Sequence, residues 1–408
     1  MREQARRAIA ECQTIAGFTE EPGRITRRFL TPPVHAVHAH LRTRMEALGM
    51  TVHTDAAGNL RGVHQPANAS PKRLVIGSHI DTVPDAGAFD GVLGVVLGIE
   101  LVEIAKERKL PLAIEVIAFS EEEGVRYGAP LLGSRAVAGI FASELLAYED
   151  EDGIRMEEAI RAFGVDPSKI NEAVLDENVR GFLEIHIEQG PVLESENLSV
   201  AAVSSIVGQT RLGLRFAGQA NHAGTTPMHL RRDALAAAAE WINLVEKLAS
   251  EADASRGQSP VATVGKISLK PNAGNVIPGV VDLSLDLRHS GDQARQWWIN
   301  ELMQHARACA QRRGVEVEST VKMSENAVEM DRHLTVTLQN AMESAGFPAR
   351  TMTSGAGHDA MALAARVPTA MLFLRSPGGI SHNPGESVRE EDVEAALAVA
   401  ANFLERIS

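Results

Sequence analysis

The chain of 408 residues is long enough for two or three domains at about 150 residues each, and its 44% hydrophobic content provides for a buried core, which excludes a disordered or fibrous polymer. Its 40 Lys and Arg against 53 Asp and Glu leave a formal net charge of -13, which repels polyanions and argues against nucleic acid and membrane surfaces as partners. The two cysteines, Cys12 and Cys309, are too few for a disulfide framework or a thiolate metal site, so any metal must be held by His, Asp and Glu.

In chain order, the first 17 residues mix basic and acidic side chains and have no apolar run of signal-peptide length, which predicts a cytoplasmic protein. Leu74–Gly77 reads as a strand, Val92–Arg108 as a helix and Leu112–Phe119 as the next strand. The most apolar stretch, Gly91–Ala105, is broken by glycines and Glu100 and falls short of the roughly 20 residues that span a bilayer. Phe182–Ile187 and Thr369–Leu374 are further buried strands. This alternation of strands and helices predicts an α/β domain with a mostly parallel sheet. Between them the pattern changes. Thr210–Phe216 alternates polar and apolar residues, Asp233–Ala249 is an amphipathic helix, Ala262–Leu269 and Val280–Leu287 alternate again, and Gln293–Arg313 is a second helix. That order predicts an inserted α+β domain with antiparallel strands, its edges near Ile206 and Val321. The stretch most like a flexible linker is Ser250–Ser259.

Ligands of open α/β sheets gather at the carboxyl ends of the strands, and each strand here runs into polar residues. Ser78-His79-Ile80-Asp81 follows the first, and Asp90-Gly91 opens the helix 11 residues after His79. Ser120-Glu121-Glu122-Glu123 follows the second, His186-Ile187-Glu188-Gln189-Gly190 closes the third, and a Gly- and Pro-rich loop carrying His382 follows the last. One such loop alone is as well explained by a solvated turn or a hydrogen-bonded histidine. Four of them in a chain nearly free of cysteine point to an oxygen and nitrogen metal centre.

The motifs Gly-Ser-His79-Ile-Asp81-Thr-Val, Phe-Asp90-Gly, Glu122-Glu123-Gly-Val-Arg-Tyr, His186-Ile-Glu-Gln189-Gly-Pro, Asn-His222-Ala-Gly-Thr-Thr-Pro-Met, Asn275-Val-Ile-Pro-Gly, Asp286-Leu-Arg288, Gly-Ala-Gly-His358-Asp359 and Ser-His382-Asn-Pro resemble, in order, the hydantoinase/carbamoylase family of binuclear metal amidohydrolases, relatives of the co-catalytic zinc aminopeptidases. The resemblance implies a mixed, mostly parallel sheet sandwiched by helices, formed by residues 1–206 and 322–408, with residues 207–321 inserted as an antiparallel-sheet dimerisation and lid domain. It implies two divalent ions per subunit, zinc or manganese, with cobalt or nickel as other occupants. His79, Asp90, Glu123, His186 and His382 would hold them, Asp90 bridging both. Glu122 would be the general base, with Asp81 holding the His79 imidazole. Gln189, Asn275, Arg288 and His358 would meet the substrate, Asn275 and Arg288 gripping its carboxylate, and His222 would stabilise the oxyanion in its own or a neighbouring subunit. Glu121 has no part in this pattern and reads as a solvated or outlying charge.

A histidine at position 186, where the peptidase relatives carry a carboxylate, looks like the ureido-hydrolysing branch. The expected activity is therefore cleavage of a ureido or N-carbamoyl bond in a small carboxylate, with release of ammonia and carbon dioxide. Ile206–Arg211, Phe29–Pro33 and Ala56–Asn59 lean toward allantoate; N-carbamoyl-L-amino acids and β-ureidopropionate are the alternatives. A peptidase or deacylase is more remote, as is a silent scaffold, since every expected catalytic position is filled.

Overall fold

A computed structural model describes residues 1–252 and 259–408, so residues 253–258 of the expected linker lie outside the described residues. The chain folds as two compact units, Met1–Ser204 with Glu329–Ser408, and Ser205–Val328. Among the described residues no helix is long and apolar enough to cross a membrane.

The chain begins with α1 (Arg2–Ala16), α2 (Pro32–Ala47), β1 (Thr51–Thr54), β2 (Leu60–His64), β3 (Arg73–His79), α3 (Val92–Glu107), β4 (Ala113–Phe119), α4 (Leu132–Ala138), α5 (Met156–Ala162), β5 (Val179–Ile187), α6 (Val192–Ser195) and β6 (Val200–Ile206). The second unit holds β7 (Gly208–Ala217), β8 (Asn221–His222), α7 (Ala234–Glu251), β9 (Val261–Thr263), β10 (Ile267–Lys270), β11 (Val276–Ile277), β12 (Val280–His289), α8 (Asp292–Arg312) and β13 (Glu316–Glu325). The chain closes with β14 (Val328–Glu329), α9 (Arg332–Ser344), β15 (Thr351–Ser354), α10 (Asp359–Leu363), β16 (Thr369–Leu374) and α11 (Glu390–Ile407).

The first unit is built on a sheet of order β1-β2-β4-β3-β5-β16-β6-β14, with β15 beside β6. Its four central strands, β4, β3, β5 and β16, are parallel, and β2 and β6 run antiparallel to their inner neighbours. Both faces are covered, which is why these strands read as continuous apolar runs. Along β5, Leu183, Ile185 and Ile187 join the main core, against which α3 packs, while Glu184 and His186 on the other face meet α10 and His358. Strand alternation thus sends the polar residues of an apolar strand to one side. His79 lies level with Phe119, and Ile187 with Leu374, so the residues after all four parallel strands emerge at one edge of the sheet.

α3 is apolar all round because it is enclosed, with the sheet on one side and α1 and α11 on the other. Its single interior charge, the fully buried Glu100, takes Arg7 of α1 and Arg44 of α2 as partners, and Arg44 also bonds Glu11 at 2.6 Å. These pairs tie three helices together without leaving an unpaired charge inside.

In the second unit β10, β12, β7 and β13 form an antiparallel sheet, with β9 beside β12. β12 alternates buried and partly exposed residues along its whole length, and Trp241 of α7 donates its indole N–H to the Leu302 carbonyl of α8 at 2.8 Å. The run Ala262–Leu269 is not one strand, as its alternation predicts, but parts of two, β9 and β10. Gly265 sits in the break, where the missing side chain weakens a strand. Val321 lies inside β13, whose pairing with β7 continues to Glu325.

Candidate metal centre

His79 ends β3 with its Nδ1 3.0 Å from the Asp81 carbonyl, and His186, near the end of the adjacent β5, places Nδ1 2.8 Å from the Ile187 carbonyl. Donating to a carbonyl puts the proton on Nδ1 of each ring and leaves a lone pair on Nε2. The two Nε2 atoms stand 3.4 Å apart, and the buried Asp90 Oδ1 lies 3.7 Å from one and 3.2 Å from the other. That oxygen has no hydrogen-bond donor. Three lone-pair donors buried face to face repel one another unless a cation joins them, so His79, Asp90 and His186 fit a metal ion.

Asp90 turns its other oxygen, Oδ2, toward His382, whose Nε2 lies 3.2 Å from it and 3.2 Å from Glu123 Oε1. Asp90, Glu123 and His382 form a second convergent set, so one carboxylate is shared by two ligand groups. His382 is half exposed, and its position between two carboxylates raises its pKa to about 10. The residue after Asp90 has to be glycine: Gly91 has φ +67°, and a Cβ there would come within 2.5 Å of the His79 ring.

The Asp81 carboxylate accepts the backbone N–H groups of Glu122 at 2.9 Å and Glu123 at 3.0 Å, so it holds the acidic loop as well as facing the His79 ring. Glu122 converges with His79 and Glu123. Burial pushes its carboxyl well above the usual range; His79 opposes this, and Glu123, Asp359 and Asp81 add to it. Gln189, at φ +57°, donates its Nε2–H to Asp90 Oδ2 at 2.9 Å, and its Oε1 has no donor.

The sequence model for peptidase family M20/M25/M40 matches residues 75–406, a span that contains every one of these side chains. The chain belongs to this family. Among its relatives, allantoate deiminase 2 of Glycine max is 37% identical over 98% of this chain and 89% of its own. The N-carbamoyl-L-amino-acid amidohydrolase of Paenarthrobacter aurescens is 34% identical over 99% and 98%. The crystal structure of a hydantoinase/carbamoylase family amidase from Burkholderia multivorans superposes with a TM-score of 0.91, 31% identity and coverage of 98% and 97%.

Further buried polar residues of this M20-family chain surround the two ligand sets. Glu121 is not solvated: it is fully buried, with Oε1 accepting the Arg126 N–H at 3.2 Å and burial pushing its carboxyl up. His358 is buried against His186 and bonds the Ser354 hydroxyl at 2.9 Å. At the start of the helix that follows His358, Glu184 accepts the Ala360 N–H at 2.8 Å. Glu184, which also accepts from the Ser78 hydroxyl at 2.9 Å, was signalled only by being a carboxylate inside an apolar strand.

His222, Asn275 and Arg288 belong to the second unit. There β8 pairs with β11, so that His222 lies beside Val276 and the Ala223 N–H donates to the Asn275 carbonyl at 3.0 Å. β8 and β11 form a two-stranded sheet of their own, reached along the chain from the Ala217 end of β7 and from the Val280 end of β12. Arg288 stands eight positions beyond Val280 along β12, opposite Gln209, roughly 26 Å from that end of the strand at about 3.3 Å per residue. It pairs with Asp286 at 3.0 Å, which also takes Arg211 at 2.9 Å. Within one chain, therefore, Asn275 and His222 are together and Arg288 is at the opposite end of the ladder.

Proposed function

We propose that this protein is a binuclear metal-dependent amidohydrolase that cleaves the ureido C–N bond of allantoate, with release of ammonia and carbon dioxide. The observation that carries this reading is the shared carboxylate Asp90, whose two oxygens face His79 with His186 on one side and Glu123 with His382 on the other. Histidine and carboxylate donors suit zinc or manganese, and cobalt or nickel as well. When bound, two divalent ions supply Lewis acidity, which polarises a carbonyl and acidifies water.

Glu122 is the base: it accepts the proton of the attacking water and delivers it to the departing nitrogen. Its backbone is held by Asp81, so the carboxylate can move a proton without displacing the loop. The unpartnered Gln189 Oε1 accepts a ureido N–H. Arg288 supplies a planar guanidinium for the substrate carboxylate, which then competes with Asp286 for it. His222 donates to the developing oxyanion, and Asn275 joins the carboxylate grip. Because these two lie at the far end of the ladder from Arg288, one site takes Arg288 from one chain and His222 and Asn275 of the partner subunit, which supports a homodimer formed through the second unit. The unpaired, buried Cys12 and Cys309 suit a reducing, cytoplasmic setting.

The likeness to allantoate deiminases supports allantoate, and that to N-carbamoyl-L-amino-acid amidohydrolases, whose substrates share the bond that is broken, supports the same chemistry. The test is ammonia release from allantoate, N-carbamoyl-L-amino acids and N-carbamoyl-β-alanine on manganese- and zinc-loaded protein, beside a chelated control. The expected result is a large preference for allantoate that chelation abolishes. Preference for a carbamoyl amino acid would replace the substrate but keep the chemistry, and ammonia release that survives chelation would overturn the metal mechanism.

A further inference from the structure

Twelve residues after the last strand, Glu386 is buried although it stands in a loop of largely exposed residues between His382 and α11. Its Oε1 accepts two backbone N–H groups from a segment nearly three hundred residues earlier, that of Phe89 at 2.8 Å and that of Asp90 at 3.0 Å. Its Oε2 lies 3.1 Å from the Ser381 hydroxyl, which is also 3.1 Å from Asp90 Oδ2. One hydroxyl has a single proton to give, so Ser381 donates either to Glu386 or to the Asp90 oxygen that faces His382. The cradle is tight: a Cβ on Gly87 would fall 2.4 Å from Glu386 Oε1. No group of the proposed reaction uses Glu386, and its hydrogen bonds come from two backbone N–H groups and from the Ser381 hydroxyl, which also reaches the outer oxygen of the shared carboxylate.

We propose that Glu386 is the positioning residue of the two-metal centre, clamping the Asp90 segment to the His382 loop and thereby setting the occupancy of the half-exposed site formed by Asp90, Glu123 and His382. The inference rests on the metal-centre reading above. The side formed by His79 and His186 needs this clamp less, since both rings are anchored by carbonyls of their own strand ends. The more exposed side depends on it, because His382 sits on a loop at φ +53° with its side chain 47% exposed and no anchor of its own on a strand. Outlying hydrogen bonds of this kind change metal affinity by about 10–100-fold.

The test is titration of metal-free full-length protein with manganese, followed by calorimetry and by metal analysis after desalting, on wild type, Glu386→Leu, Glu386→Gln and Ser381→Ala. Wild type is expected to hold two equivalents. Glu386→Leu is expected to keep the tighter equivalent and to bind the second at least about 10-fold more weakly. Glu386→Gln is expected to restore the second, since the amide keeps an oxygen for the two N–H groups and turns an N–H to Ser381. Ser381→Ala, which leaves the backbone clamp intact, covers the case in which the leucine variant does not fold, and it too is expected to weaken the second equivalent alone. Two equivalents of unchanged affinity in the leucine variant, or in Ser381→Ala should the leucine variant not fold, or equal loss of both in either, overturns the role of Glu386 and leaves the metal centre standing. Wild-type protein that binds neither manganese nor, in the same titration, zinc, cobalt or nickel overturns both.

Discussion

At the scale of single residues the site depends on how neighbouring side chains divide opposite tasks. Glu121, Glu122 and Glu123 are adjacent in sequence, yet Glu121 is enclosed with a backbone N–H, Glu122 faces His79, and Glu123 faces His382. Glu122 combines proximity to His79 and Glu123 with a carboxyl raised by burial. Replacing it by Gln removes the proton acceptor while keeping the shape, and is expected to lower kcat by about 10²–10⁴-fold with the metal content unchanged. Steady-state rates beside metal analysis check this; a variant with wild-type kcat removes Glu122 from the mechanism. That His, Asp and Glu gather where apolar runs end could be read from the chain, whereas which of them converge came from the structure. The burial of Glu121 could not, since three consecutive acids look the same in solvent and in a site.

At the scale of elements, helices are held by groups whose charge state matters. His38 of α2 is buried edge-on to Phe163 at 5.4 Å, and its Nε2 has no partner. Burial, aided by His35 and Arg42, lowers its pKa from 6.5 to about 3. The folded state therefore refuses a proton that the unfolded chain accepts, so this group's contribution to stability is complete above about pH 6.5 and is lost as pH falls from there toward 3. Each pH unit in that window costs about 1.4 kcal/mol. His38→Leu is expected to flatten the dependence, giving a smaller fall in urea-unfolding stability between pH 6.5 and pH 5 than wild type shows; parallel curves would place the proton elsewhere. The strands and helices that follow simple periodicity were legible, α7 and β12 among them. The break between β9 and β10 was not, because alternation persists through Gly265 while the hydrogen-bonded pairing does not.

At the scale of the whole molecule, the separation of Arg288 from His222 along one ladder makes the proposed site a property of two chains. Co-expression of Arg288→Ala with His222→Ala offers a direct check. Each variant alone is expected to be nearly inactive, whereas random pairing makes half the dimers mixed, each with one intact site, and so returns about a quarter of wild-type activity. No recovery would mean that both residues serve the same chain's site or none.

The amino-acid sequence by itself determined the chemistry available to this protein. A near absence of cysteine leaves His, Asp and Glu as ligands, and apolar runs that end in those residues deliver them to the carboxyl edge of a parallel sheet. What only the tertiary structure decided is which atoms meet. The two oxygens of Asp90 face His79 with His186 on one side and His382 on the other, His79 and His186 are turned by backbone carbonyls, and Glu386 reaches back across most of the chain to accept the Phe89 and Asp90 N–H groups. Such contacts carry no periodic signal: a hydrogen bond constrains two groups in space, and their distance along the chain is set by the topology of the sheet between them.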